Sequence, residues 1–317
     1  MTNSNSSTID IPYVSVVVPI YNGVADLPDL IGCLLAQTYP QELVEYLLVD
    51  NNSSDRTAAT IQLAAANFPG QVRLLSENQI QSSYAARNTG IRAAKGEILA
   101  FTDADCRPQP QWLESLIQPF VKSDIWLVVG EIMALPGKSL LEQYADRQDT
   151  LSQKHTLSHS FCPYGQTANL AVRRQAFEKI GLFRPHLTTG GDADFCWRLL
   201  QQNVGWEFAP QAVVLHRHRT TFKELQSQWR RYGRSNRYLH ELHGVELMRE
   251  MTFRDYSYRL GRWLLKEVPI SSIKAIAGRA SLVDIFSTPI ALLTANARAN
   301  GQAKAKLPEQ AKIIDWL

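Results

Sequence analysis

Four short apolar runs set the frame for this chain: Val14–Ile20, Val44–Val49, Val72–Leu75 and Ile98–Phe101. Their apolar stretches are too continuous for strands with one wet face, so they read as strands of a parallel sheet covered on both sides. Between them lie segments with helical spacing of apolar residues or high helix propensity: Asp26–Gln37, Thr57–Asn67 and Ser83–Ala94. The alternation β-α-β-α-β-α-β predicts an α/β fold with a Rossmann-like, mostly parallel sheet flanked by helices. In such sheets ligands bind outside the carboxyl ends of the strands. Polar groups cluster there: Tyr21 after the first run, Asp50 after the second, and Asp103 and Asp105 after the fourth.

The last pair is chemically the most specific. Asp103 and Asp105 stand at i and i+2, so in extended chain they point the same way. Hard cations such as Mg²⁺ and Mn²⁺ take carboxylate oxygens and share their sites with substrate phosphates. The two aspartates therefore form a candidate metal clamp for a diphosphate, against the alternative of a solvated strand-end loop. No Gly-x-Gly-x-x-Gly follows the first run and no Gly-x-x-x-x-Gly-Lys occurs in the chain, which argues against a glycine-loop phosphate site.

Composition excludes several classes. A formal charge of +3 over 317 residues gives no case for nucleic acid. Cys33, Cys106, Cys162 and Cys196 match no metal spacing and fit a reduced, cytoplasmic chain. Met1–Asp10 is polar, without the basic and apolar parts of a signal peptide. The longest apolar candidate, Ser281–Ala295, is short for a membrane span and carries Asp284.

Five segments, VSVVVPIYNG, YLLVDNNSSDRT, ARNTGIRAAKGEILAFTDADC, NLAVRRQAFEKIGLF and GGDADFCWRL, stand in an order that resembles the family 2 glycosyltransferases, which have the GT-A fold. The resemblance covers residues 13–220 and divides the chain into a flexible tail (1–12), a catalytic domain (13–220) and a helical C-terminal extension (221–317). It implies an inverting, metal-dependent transfer from a nucleotide-diphosphate sugar, expected to be a UDP-sugar, to a hydroxyl of a glycan, lipid or small-molecule acceptor. It further implies that Pro19, Tyr21 and Asn22 border the nucleoside and that Asp50 hydrogen-bonds the base. By the same resemblance Arg87 holds the nucleotide, Asp103 and Asp105 bind Mn²⁺ or Mg²⁺ and the ribose–diphosphate, and Asn169 contacts the sugar.

Where the family has Gly-Glu-Asp, this chain has Gly190-Gly191-Asp192, so Gly191 replaces the glutamate and Asp192 is the expected catalytic base. Asp194 is placed to start the following helix and to pair with Arg198 at i+4. The resemblance further implies a histidine that completes the metal site, here His216, with His218 as the alternative. Gln228–Gly233 resembles loosely, with a different order, the Gln-x-x-Arg-Trp motif of processive relatives; processivity is not carried over, and Arg230 is chosen, with Arg231, to hold the leaving diphosphate.

The extension carries Tyr256, Tyr258, Trp263, Leu264 and Leu265 beside Arg259, Arg262 and Lys266. Such an aromatic-basic surface can lie on an anionic membrane, giving peripheral contact at its inner face, or can be an ordinary helix packed on the catalytic domain. The rival functions are a non-catalytic nucleotide-sugar or glycan-binding protein, which the loss of the glutamate favours, and a nucleotidyltransferase, which the lack of Lys or Arg in Pro19–Gly23 disfavours.

Overall fold

The computed structural model describes residues 11–276, 279 and 281–317; the part of the expected N-terminal tail before residue 11 lies outside them. Eight strands form one sheet: β1 (Val14–Ile20), β2 (Val44–Asp50), β3 (Val72–Ser76), β4 (Ile98–Thr102), β5 (Cys106–Pro108), β6 (Ile125–Ala134), β7 (Asn169–Arg173) and β8 (Gly205–His216). Their order is β3-β2-β1-β4-β7-β6-β8-β5. The first four are parallel, as their buried runs predict. The second half is mixed: β7 enters antiparallel between β4 and β6, β8 runs parallel to β6, and β5 runs antiparallel to β8.

Side-chain alternation along β1 sends Val14, Val16 and Val18 to one face and Val17 to the other. The first face packs on α1 (Leu27–Leu35) and α4 (Trp112–Ile117). The second packs on α3 (Ser83–Ala93), α7 (Arg174–Ile180) and α8 (Gly191–Leu200). Both faces are covered, so every residue of β1 and β2 is buried. The remaining helices are α2 (Thr57–Asn67), α5 (Leu140–Arg147), α6 (Gln153–Leu157), α9 (Phe222–His243), α10 (Phe253–Arg262), α11 (Val268–Ile276) and α12 (Leu282–Lys304).

The C-terminal helices are built onto the sheet domain. At the α9–α12 crossing, Gly233 lies against the Arg298 backbone and Gly301 against the Arg230 backbone, leaving no room for a Cβ at either position. The chain end then returns to the domain. Leu307 and Ala311 join the core beneath α7 and α8, and the Leu182 amide donates to the Asp315 carbonyl at 2.7 Å. Trp263 corrects the expectation of an exposed aromatic there. It is partly buried, and its indole N–H donates to the Ile285 carbonyl of α12 at 2.7 Å. Leu264 and Leu265, one and two residues on, point outward instead. Among the described residues no helix is long and apolar enough to cross a membrane.

Asp194 fastens the second half of the molecule. Its side chain is 0 % exposed and meets Arg184 Nε at 2.9 Å, Arg198 Nε at 3.1 Å and His243 Nε2 at 3.0 Å. One carboxylate thus joins α8 to the 182–187 loop and to the end of α9. Burial works to raise its pKa, but the His243 hydrogen bond and the two guanidinium charges outweigh burial and hold it at about 2. Asp194→Asn leaves two buried guanidinium groups without their anion, so we expect a loss of about 3–5 kcal/mol in chemical denaturation at pH 7. Because folding lowers this pKa, the contribution is present above the unfolded value of about 4 and fades as pH falls toward 2. Turnover per folded molecule should be unchanged; a dead but fully stable variant would contradict this role.

Candidate active site

The carboxyl ends of β1 and β4, the start of α8 and one face of α9 enclose a cavity of about 510 Å³. Among the residues expected to act, Pro19, Tyr21, Asn22, Arg87, Asp103, Asp105, Asp192 and His216 all line it. Tyr21 is exposed at the rim. Asn22 has a positive φ of 48°, a conformation asparagine tolerates, and its Oδ1 accepts the Ser54 amide at 2.8 Å, which fixes the loop after β1.

Three expected residues are absent from the lining. Asp50 lies one strand away, paired in register with Ile20; it is buried, and its Oδ1 has no hydrogen-bond partner. A buried orphan acceptor needs a donor, and the base of a nucleotide beside Tyr21 is one that can supply it. Asn169 corrects the expected sugar contact. It is the first residue of β7, wholly buried, and spends its amide on Trp112 Nε1 (2.7 Å) and the carbonyls of Glu131 (2.8 Å) and Ala212 (2.7 Å). Arg230 is a second correction. Its backbone lies against Gly301 of α12, and its neighbour Arg231 lines the cavity instead. Gln228, Arg231 and Tyr232, at i, i+3 and i+4, share the helix face that lines the cavity. The Gln-x-x-Arg spacing is therefore kept, with tyrosine in the last place, which corrects the reading of a different order; that spacing is the signal in the sequence that points to Arg231 over Arg230.

The two aspartates after β4 have different partners. Asp103 Oδ1 accepts from Arg87 Nη2 at 2.5 Å, and the Arg87 side chain is only 4 % exposed. Asp105 lies 3.3 Å from His216 Nε2 and 3.4 Å from Arg219 Nη2. Burial alone would raise the Asp105 carboxyl; His216 and Arg219 overcome it and hold the group well below the usual carboxylate range. Asp105, His216 and Cys106 offer ligand atoms within 4.8 Å of one another. Burial pushes the Cys106 thiol far up, so it stays protonated and is no ligand for a hard cation. The remaining carboxylate–imidazole pair opens on the cavity and suits Mg²⁺ or Mn²⁺. His218 is also buried but does not line the cavity, and burial with the nearby His216 pushes its pKa down to about 4.

Asp192 sits across the cavity in the first turn of α8. Thr167 Oγ1 donates to its Oδ1 at 3.0 Å. Burial raises its pKa, Arg87 opposes this, and the Asp103 charge adds to the rise. The residue before it answers why a glycine stands in the family's glutamate position. A Cβ on Gly191 would lie 2.7–2.8 Å from the ring carbons of Tyr84 on α3, which fills that space. Tyr84, Thr167 and Arg219 are therefore site residues that sequence patterning did not single out. Gly191→Glu should cost about 1–3 kcal/mol of stability by overpacking against Tyr84. In a double-mutant cycle with Tyr84→Ala the two costs should be clearly sub-additive; strictly additive costs in denaturant titrations would show that the ring is not what excludes the side chain.

A family model described as glycosyl transferase family 2 matches residues 15–181. The chain is 33% identical over 224 residues to glycosyltransferase AglE of Haloferax volcanii, covering 70% of this chain and 73% of that one. Two solved structures share the fold at 17% identity. One is the mannosyltransferase PcManGT of Pyrobaculum calidifontis in complex with GDP-Man and Mn²⁺ (TM-score 0.59, 93% of this chain and 88% of that one). The other is GalNAc-T7 with UDP, GalNAc and Mn²⁺ (TM-score 0.55, 74% and 51%). The mixed sheet flanked by helices is thus a GT-A fold, and the chain belongs to glycosyl transferase family 2.

Proposed function

We propose that the protein is an inverting, divalent-metal-dependent glycosyltransferase that moves the sugar of a nucleotide-diphosphate sugar, a UDP-sugar, to an acceptor hydroxyl. The observation that carries this reading is the pairing, across one cavity, of a partly buried carboxylate of raised pKa at Asp192 with the Asp105–His216 pair. The neighbours solved with GDP-Man or UDP and with Mn²⁺ support a nucleotide-sugar donor and a divalent cation.

In this reading Pro19, Tyr21 and Asn22 hold the nucleoside, and Asp50 accepts from its base. Arg87, through Asp103, keeps the ribose–diphosphate end in register, and Arg219 and Arg231 supply guanidinium donors to phosphate oxygens. Asp105 and His216 would hold the cation, which when bound neutralises charge on the leaving diphosphate. Thr167 fixes Oδ1 of Asp192, leaving Oδ2 to take the acceptor hydroxyl proton. As that proton leaves, the acceptor oxygen bonds to the anomeric carbon, and the carbon–phosphate-oxygen bond breaks with its electron pair going to the diphosphate. A raised pKa makes Asp192 a stronger base than an exposed aspartate. Tyr84 accounts for Gly191 by packing, which removes the main reason to read the missing glutamate as decay of a non-catalytic site.

Incubation with a panel of radiolabelled nucleotide sugars, with Mn²⁺ and with chelator, tests the activity; no transfer and no donor hydrolysis with any of them would contradict it. Asp192→Asn should lower turnover at least about a hundredfold with nearly unchanged donor affinity. The same substitution should raise the melting temperature at pH 7. Folding raises this pKa, so the ionised carboxylate costs stability above the ordinary value of about 4 and nothing well below it. The stability gain should therefore shrink as the pH is taken below 4, as followed by thermal melts. An active Asp192→Asn enzyme would place the base elsewhere.

A further inference from the structure

Helices α10 and α11 and the π-turn between them, Trp263–Glu267, leave a large apolar surface in solvent. Phe253 is 87 %, Leu265 80 % and Ile276 89 % exposed, and Leu260, Leu264 and Ile273 are exposed as well. Phe253, Leu260 and Leu264 stand at i, i+7 and i+11, a single stripe along the helix. Trp263 turns the other way and anchors the helix on α12. The stripe is thus an outward face left over after the helix has packed. Water-soluble surfaces rarely keep so much contiguous apolar area without a use for it.

The charges around the stripe say what it meets. Residues 249–279 hold seven arginines and lysines against three acids. Two of the three acids are engaged: Asp255 closes the capping box of α10, and Glu267 pairs with Arg262 at 3.0 Å and accepts from Thr288 at 2.5 Å. Among the described residues Arg259 has no acidic partner within salt-bridge distance. With Arg262, Glu267, Thr288, Ala291 and Leu292 it lines a cavity of about 210 Å³ between α10 and α12. Arg262 and Thr288 are held by Glu267, so Arg259 is the guanidinium left to offer beside an apolar face, the complement of an anionic headgroup above acyl chains.

We propose that α10, the π-turn and α11 form an interfacial platform that seats the protein on an anionic phospholipid bilayer. Leu264, Leu265 and Ile273 enter the acyl boundary, and Arg259 and Lys266 meet lipid phosphates. No described helix can span the bilayer, so the platform lies in the plane of the interface. The platform stands on α12, which packs against α9, the helix that brings Arg231 and Tyr232 to the cavity. Seating therefore fixes one wall of the transfer site relative to the lipid surface. The binding itself does not depend on the proposed reaction.

Co-sedimentation with vesicles of phosphatidylglycerol and phosphatidylcholine tests this with the whole chain. The protein should pellet with anionic vesicles at low salt at least about tenfold more strongly than with neutral ones, and release when the Debye length is cut to about 4 Å by 0.5 M salt. Leu264→Ser with Leu265→Ser, and separately Arg259→Glu with Lys266→Glu, should each weaken binding at least about tenfold, since one cation near the surface is worth about fivefold. These side chains are exposed, so melting temperatures and donor hydrolysis in solution should not move. No pelleting, equal binding to neutral vesicles, or variants that bind like the parent would overturn the proposal. So would a dimer in analytical ultracentrifugation that the leucine variant dissolves, because a second copy of the chain would then be what covers the stripe.

Discussion

A guanidinium buried at the floor of a cavity must have an anion, because an unpaired charge there costs several kcal/mol. Arg87 is that guanidinium and Asp103 its anion. Arg87 sits on α3 and Asp103 at the end of β4, so their ion pair sets the distance between helix and strand end. The same helix places Tyr84 under Gly191 and so sets the start of α8, where Asp192 stands. The Arg87 guanidinium lies 5.5 Å from the centre of the Tyr84 ring, which joins the two supports into one unit. The first turn of α3 is tied to the loop before α8 by the Ser82 hydroxyl, which donates to the Leu187 carbonyl at 2.7 Å. One helix thus positions both Asp103 after β4 and the carboxylate across the cavity.

Asp192 and Asp194 are two residues apart in one helical turn and have opposite fates. About 200° of helical rotation separates them. Asp192 faces the cavity, where burial raises its pKa and only one hydroxyl donates to it. Asp194 faces inward, where three cationic or donor groups hold its pKa at about 2. The chemistry of each follows from its surroundings, since the side chains are identical. The first surroundings suit the proposed base, and the second hold an anion in place as a joint requires.

The parallel half of the sheet was legible because a strand covered on both faces must be mostly apolar, and β1, β2 and β4 are, apart from the buried Ser15, Glu45, Asp50 and Thr102. The antiparallel entry of β7 was not, since Asn169–Arg173 reads alike in either direction and only its pairing with β4 and β6 decides. That Asp103, Asp105 and Asp192 would meet at one cavity was legible because few residue types can hold a cation or accept a proton, the roles proposed for them. Asn169 misled because an amide serves equally well in a turn, a sugar site or a core, and here three buried partners claim it. Arg230 and Trp263 misled for a common reason. Composition names a basic or aromatic patch, whereas helix phase decides which member of it faces the cavity or the solvent, and in both cases the adjacent residue faces the way expected.

The cavity as a metal–nucleotide site is tested most directly by diffraction from crystals grown with UDP and Mn²⁺, with anomalous data collected to locate the metal. The expected result is one manganese peak within about 2–2.5 Å of an Asp105 carboxylate oxygen and of His216 Nε2, with the diphosphate on it and the base near Asp50 and Tyr21. A manganese peak on Asp192, or nucleotide density outside this cavity with no metal at Asp105, would contradict it.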